Sequence, residues 1–305
     1  MSRPSLVALL TQQGYEDPTP GHWYVDNILE EDRHVGAALA ERGIEAERVA
    51  WSRPDVDWSR YDAAVFRTTW DYFDRFEEFS TWLDRVHTQT LLLNEPALIR
   101  WNADKHYLAD LERAGIHTVP TVFVPRGTTS TLAQLLETHG FDAAVLKPVV
   151  SGAARHTYRV DRSSAAEHEA QLAELLTAEA MMLQPFQRYI VERGEITVVV
   201  IDGKTTHALR KVAKAGDFRV QDDHGGTIEA HDPTVEEVEF AERAMAACKP
   251  HPLYGRVDMI RDNDGALAVM EVELVEPELW FRRCPAAAER LADGLVRRLR
   301  SLYSG

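Results

Sequence analysis

The chain has 305 residues, 45% of them hydrophobic, and a formal net charge of −15 at pH 7. That length and apolar content support two or three packed domains, and the acidity argues against a nucleic-acid partner, which needs a basic stripe. Two cysteines, Cys248 and Cys284, form no disulfide framework or metal-ligand spacing; no apolar run has the length of a membrane span, and the N-terminus is too short and polar for a signal peptide. The expectation is a cytoplasmic protein in a reducing compartment, with no membrane partner. The twelve histidines fall into no HxH or HxxxH cluster, which argues against zinc.

Residues 6–10 (LVALL) read as a short buried strand, followed by a polar loop with Pro and Gly. Helical spacing of Ile28, Leu29, Val35, Ala38 and Leu39 covers residues 26–42, and Gly43 ends it. Residues 46–51 and 63–67 are the next strands, 76–86 a helix, and Leu91-Leu92-Leu93 closes the pattern. This alternation predicts a parallel α/β unit of about ninety residues. Ligands of such sheets bind outside the carboxyl ends of the strands. The loop Arg67-Thr68-Thr69-Trp70-Asp71 follows the third strand with a cation, two hydroxyls, an aromatic and an acid, so it is a candidate substrate loop. It reads equally as a helix start capped by Asp71 or Asp74.

Asn94-Glu95-Pro96 breaks the chain, and a new section begins near Arg100. Residues 104–113 predict a helix stopped at Gly115, with Lys105 in its first turn. The helix dipole disfavours a cation there, so Lys105 has either an external anionic partner or only solvent. Strands at 121–124 and 143–147 flank a helix over 130–139. Lys147 ends the second strand against Pro148. The small residues of Val149-Val150-Ser151-Gly152-Ala153-Ala154-Arg155-His156 let backbone N–H groups approach an anion. The segment lacks the Gly-Lys-Ser/Thr ending of a P-loop, and here the lysine precedes the loop.

Residues 163–179 read as an acidic, solvated outer helix, and 181–186 as an apolar strand running into a proline-marked hinge. Gly194-Glu195 opens a strand over 196–201; Asp202-Gly203 turns it, and 204–212 returns as a hairpin partner. A polar loop over 214–226 contains Arg219, Gly225 and Gly226, and a helix over 233–248 follows. Residues 254–280 then form a hairpin, GRVDMI and LAVMEVEL around Asp262-Asn263-Asp264-Gly265. Glu271 and Glu273, two apart, share a face, which Asp258 reaches if the register allows. Three such carboxylates repel one another unless a positive charge sits between them, and hard oxygen ligands with open positions suit Mg²⁺ bound with phosphates. The alternative is a solvent-facing sheet with alternating acids. Residues 285–302 close the chain as an amphipathic helix with a basic face.

In this order, Asn102 to Lys105 (NADK), Leu146-Lys147-Pro148, Met182 to Phe186, Gly194 to Gly203, the Gly216 to Gly226 loop, Arg256-Val257-Asp258 and Met270 to Glu273 make the sequence over 100–285 resemble the ATP-grasp superfamily of carboxylate–amine ligases. The RTTWDYF, LNEP, WNADK and KPVVSGAAR segments are most similar to the group that closes cycloserine from O-ureido-serine. The resemblance implies an α/β ATP-grasp fold behind an N-terminal parallel α/β domain, divided as 1–99, 100–187 and 188–305, with dimers common in the family. It implies ATP between two lobes, Lys105 and Lys147 on its phosphates, and backbone of Gln184, Pro185 and Phe186 on adenine. Glu195 would take the ribose, and Ser151, Gly152, Ala153 and Arg155 would cover the β- and γ-phosphates. Two Mg²⁺ would sit on Asp258, Glu271 and Glu273, with Lys211 and Arg219 at the transferred phosphoryl group. Arg67, Trp70, Asp71, Arg155, Gly225 and Gly226 would meet a small amino-acid-like carboxylate.

The sequence departs from the family pattern at Glu273, where Asn is frequent, at Lys211, where Arg is frequent, and in a phosphate loop poor in glycine. The activity implied is ADP-forming C–N ligation, by intramolecular ring closure or by joining two amino-acid-like substrates. A non-catalytic nucleotide binder and a di-metal hydrolase are the readings from other classes.

Overall fold

The structure is a computed structural model that describes residues 5–152, 154–220 and 225–303. Its first unit contains β1 (Ser5–Thr11), α1 (Trp23–Ala40), β2 (Ile44–Ala50), β3 (Ala63–Thr68), α2 (Phe76–Val86) and β4 (Leu91–Leu93), with a parallel sheet in the order β2-β1-β3-β4. β1 from Val7 onward and the whole of β3 are buried because both sheet faces are covered. α1 begins at Trp23, earlier than the apolar spacing indicates.

The chain does not simply break after Asn94. Pro96–Ala103 forms α3 with proline in its first turn, where the missing N–H costs nothing. α4 (Tyr107–Arg113) follows. Lys105 therefore lies in the link between two helices rather than in a first turn, and the dipole argument does not apply to it.

A second sheet is antiparallel, β5 (Val122–Val124), β6 (Ala143–Pro148), β7 (Tyr158–Asp161) and β8 (Met181–Pro185), in the order β5-β8-β6-β7. α5 (Leu132–Thr138), started by a Thr131–Gln134 capping box, packs on it with α6 (Ala165–Ala178). α6 is not wholly solvated, since Ala165, Leu172 and Leu176 are buried in this core.

After α7 (Tyr189–Arg193), a third sheet is built from β9 (Glu195–Ile201), β10 (Lys204–Val212), β11 (Thr227–His231), β12 (Tyr254–Arg261) and β13 (Leu267–Glu273), in the order β11-β10-β9-β12-β13. α8 (Val235–Ala247) covers one side of it, and α9 (Pro285–Tyr303) packs against α1. One core runs from Val7 and Leu39 through Val199 to Leu291 and Leu295, joining the first unit to the third sheet.

β13 is an edge strand, and side chains from the preceding segment cover its open backbone. Asn102 donates to Val272 O (2.7 Å) and accepts from Leu274 N (2.7 Å), and Val272 N donates to the Tyr107 hydroxyl (2.9 Å). Asn94 donates to Tyr254 O (2.9 Å) and Leu274 O (2.8 Å) and accepts from Leu253 N (2.7 Å). These bonds satisfy backbone groups that would otherwise be buried unpaired, and they fix the strand that carries Glu271 and Glu273.

Candidate active site

The hairpin register pairs Asp258 with Glu271 and Arg256 with Glu273, and Asp258 also lies opposite Thr197. Across β9 and β10, Glu195 is opposite Lys211. Because alternate residues share a face, these groups make one polar stripe over four strands. Gly194 makes its corner possible: φ is +74°, and a Cβ there would stand 2.4 Å from Lys211 O.

The stripe is cross-linked by charge. Lys211 Nζ lies 3.0 Å from Glu195 Oε1 and 2.8 Å from Asp258 Oδ2. Arg256 donates to both oxygens of Asp258 (2.9 and 2.8 Å) and also bonds Glu273. Thr197 adds a hydroxyl to Asp258. Both cations face the buried Trp280 ring, Lys211 at 5.8 Å and Arg256 at 5.0 Å. Burial opposes ionisation of Asp258, yet Arg256 and Lys211 overcome it and hold its pKa below the usual value. Glu273 is pushed up to about 7, first by burial and then by Asp258 and Glu271 acting against Arg256.

Opposite the stripe, Lys105 Nζ lies 2.7 Å from Glu271 Oε1 and 2.8 Å from Ser151 O. Lys147, next to last in β6, lies in the same place, and burial lowers its pKa. Together they enclose a cavity of about 280 Å³, also lined by Gly152, Gln184, Pro185, Phe186 and Arg219. The first unit supplies its roof, with Tyr24, Trp70, Tyr72 and Phe73. Gly152 lies so close to that roof that a Cβ would stand 2.6 Å from the Phe73 ring.

Most of the predicted residues therefore converge on one cleft, including Lys105, Lys147, Ser151, Glu195, Lys211, Asp258, Glu271 and Glu273. Several do not. Arg155 makes a two-pronged pair with Glu179 (2.9 and 2.6 Å) and lies near Asp74, because that buried-side carboxylate is a nearer anion than the cavity. Asp71 accepts from Trp51 Nε1 (2.7 Å) and Arg75 (2.9 Å), holding the start of α2 rather than facing the cleft. Arg67 is 2% exposed, paired with Asp32 at 3.0 Å, and lines a small side pocket behind Trp70. Gly225 and Gly226 lead into β11 and do not line the cavity; Ala153 lies outside the described residues.

Arg256, Glu276, Glu278 and Tyr24 are among the cavity residues that the sequence reading did not single out. Arg256 was legible as the residue two before Asp258, on its face. Glu276 carried no signal, because it follows the strand; burial and then Glu273 raise its pKa well above the usual value.

The residues present fit ATP and a divalent cation. Gln184 donates to Thr121 Oγ1 (3.0 Å) while its Oε1 is buried without a partner, an acceptor suited to an amino group such as adenine's. The Phe186 N–H is already spent on Ala143 O (2.8 Å). Among the described residues no three His, Cys, Asp or Glu side chains stand preformed as a metal cage. Glu271 and Glu273 nevertheless bring hard carboxylate oxygens to the cavity, and Mg²⁺ commonly takes one or two carboxylates with phosphate oxygens and water. Asp258 differs, since Arg256, Lys211 and Thr197 occupy both its oxygens.

A cleft between two antiparallel sheets, with Lys105 and Lys147 on one side and a stripe of acids threaded by Lys211 and Arg256 on the other, is the architecture of an ATP-dependent ligase. Residues 7–94 match the N-terminal domain of D-cycloserine synthetase DcsG, and residues 113–265 match the ATP-grasp domain of prokaryotic glutathione synthetase. The chain belongs to the ATP-grasp family of ATP-dependent carboxylate–amine ligases, whose members use ATP and Mg²⁺. It is 34% identical over 275 residues to the cycloserine biosynthesis protein DcsG of Streptomyces lavendulae, covering 85% of this chain and 90% of that one. The crystal structure of D-cycloserine synthetase DcsG superposes with a TM-score of 0.84 at 30% identity, covering 97% of this chain and 100% of that one. D-alanine–D-alanine ligase from Bacillus anthracis shares the fold, with a TM-score of 0.67 at 16% identity and coverage of 98% of both chains. Among the described residues no helix is long and apolar enough to cross a membrane.

Proposed function

We propose that this ligase converts the carboxylate of a small amino acid to an acyl phosphate and closes the ring within the same molecule, as in forming cycloserine from O-ureido-serine. The observation that carries the reading is the roof of Tyr24, Trp70, Tyr72 and Phe73 over the charged stripe, contributed by the unit that matches the DcsG N-terminal domain. It closes the first-unit side of the cavity, where a small acid would lie. ATP is cytoplasmic, and the reaction belongs there.

A carboxylate oxygen attacks the γ-phosphorus, and the bond from that phosphorus to the ADP oxygen breaks. Two anions must meet, so the catalytic work is positioning and charge compensation. Lys105 and Lys147 hold the nucleotide phosphates, and Gln184 reads adenine. Glu195 binds the ribose after loosening its pair with Lys211, which with Arg219 faces the transferred group. Arg256, anchored on Asp258 and Glu273, adds its charge to the same cavity. Glu271 and Glu273 would hold Mg²⁺, one or two ions, and Asp258 would join them if its cations turned to phosphate. The chemistry Mg²⁺ supplies when bound is neutralisation of the triphosphate. The nitrogen bonded to the side-chain oxygen then attacks the acyl carbon, expels inorganic phosphate and gives up its proton; its carbamoyl group then leaves by hydrolysis, as ammonia and carbon dioxide. Phe73 packed on Gly152 keeps water from the acyl phosphate meanwhile.

The test is ADP release from ATP and Mg²⁺ with O-ureido-serine as sole acceptor. The reading predicts stoichiometric ADP and phosphate with no added amine. A requirement for a second amino acid would favour intermolecular ligation, and AMP with pyrophosphate would refute acyl phosphate formation.

A further inference from the structure

Nearly every acid around the cleft has a cation of this chain on it. Glu195 and Asp258 hold Lys211, Glu273 holds Arg256, and Glu271 holds Lys105. Glu278 holds Arg282 at 2.6 Å, and Arg282 in turn reaches Glu31 at 2.9 Å. Glu276 is different: it lines the same cavity, and among the described residues no cationic side chain comes within ion-pairing distance of its carboxylate. Lys105 attracts this half-buried carboxylate but is itself bound to Glu271, so the position favours a cation that arrives with a ligand.

Its surroundings say which cation. Trp70 Nε1 donates to Glu276 O (3.1 Å), which fixes this segment against the first unit, and Pro277 stiffens the chain after it. Trp70 and Tyr24 also line the cavity, with ring centroids 5.8 Å apart. An acid beside two aromatic rings suits an ammonium group, which gains from both the charge and the ring faces. The phosphate-binding lysines, by contrast, are tied to Glu271 and to the Ser151 loop.

We propose that Glu276, with Trp70 and Tyr24, binds the α-ammonium of the amino-acid substrate and so selects α-amino acids over acids lacking that group. This rests on the ligase reading above, and it adds a chemical consequence. A nitrogen held as ammonium has no lone pair to offer the acyl phosphate, and its attack within the same molecule would close a strained three-membered ring, so bond formation falls to the nitrogen on the side-chain oxygen.

The test is equilibrium binding, so it needs no turnover. Calorimetry with the full chain, Mg²⁺ and a non-hydrolysable ATP analogue would compare O-ureido-serine with its des-amino counterpart, 3-(ureidooxy)propanoate. The expected result is that the wild-type protein prefers the amino acid, and that Glu276→Gln loses about ten- to a hundredfold of its affinity for it. Affinity for the des-amino acid and for the nucleotide stays as it was, and Glu276→Asp restores part of the preference. A preference that survives in Glu276→Gln would overturn the proposal, as would a parallel loss of nucleotide affinity, which would make Glu276 a metal or phosphate residue. Absence of any wild-type preference would also overturn it. Failure of ring closure shows separately, as missing ADP release with binding intact.

Discussion

Lys105 of the link between α3 and α4 and Glu271 of β13 meet across the cleft, Nζ to Oε1 at 2.7 Å. On the proposed function, Lys105 stands where a metal would sit on Glu271, and Glu271 stands where a phosphate would sit on Lys105. The pair keeps both charges compensated until the nucleotide separates them. Removing one partner strands the other in a buried site, which is worse than having neither.

Lys105→Ala and Lys147→Ala should each lower kcat/KM for ADP formation by about a hundredfold or more, the usual loss for an aimed cationic donor. Steady-state ADP release checks it. A metal-dependent hydrolase with no nucleotide would leave both variants fully active.

Asn94→Ala removes one side chain that serves three buried backbone groups of the third sheet. The expected destabilisation is about 3 kcal/mol, from leaving those groups unsatisfied. Urea unfolding measures it, and a loss under about 0.5 kcal/mol, the range of an ordinary surface change, would show that water replaces the amide.

Arg155→Gln should leave the KM for ATP within about threefold of wild type, a free-energy change below 1 kcal/mol, because Glu179 rather than the cavity takes its guanidinium. The variant should instead melt lower. A tenfold rise in KM would mean that Arg155 swings onto phosphate in the loaded enzyme.

Burial pushes the Cys248 thiol from 9.0 up to about 12. A pKa raised on folding gives stability that is complete below the unfolded value and is lost as pH rises through the folded one. Wild-type stability should therefore fall between about pH 9 and pH 12, and Cys248→Ala should fall less over the same range. Denaturant titrations at stepped pH decide this. At pH 8, alkylation of the native protein should mark the half-exposed Cys284 and spare Cys248.

Much of this site could be read from the sequence because its parts obey short-range rules. The turn at Asp262-Asn263-Asp264-Gly265 and the spacing of two between Glu271 and Glu273 fix a hairpin face without any tertiary knowledge. Arg256 was open to the same arithmetic. α3 was hidden because Pro96 reads as a break when it can equally start a helix. β11 was hidden because an edge strand with exposed polar residues has no apolar pattern to show. Arg67, Asp71 and Arg155 depend on which anion or donor folding brings nearest, and local sequence holds no record of that. Glu276 belongs with them, since its place is fixed by Trp70, far away in the chain.

The central claim is that the substrate carboxylate becomes an acyl phosphate, and oxygen tracing tests it most directly. With O-ureido-serine labelled with ¹⁸O in its carboxylate, ATP and Mg²⁺, the inorganic phosphate released should carry one carboxylate oxygen, and ADP none. Phosphate free of label, or label found in AMP, would contradict the account.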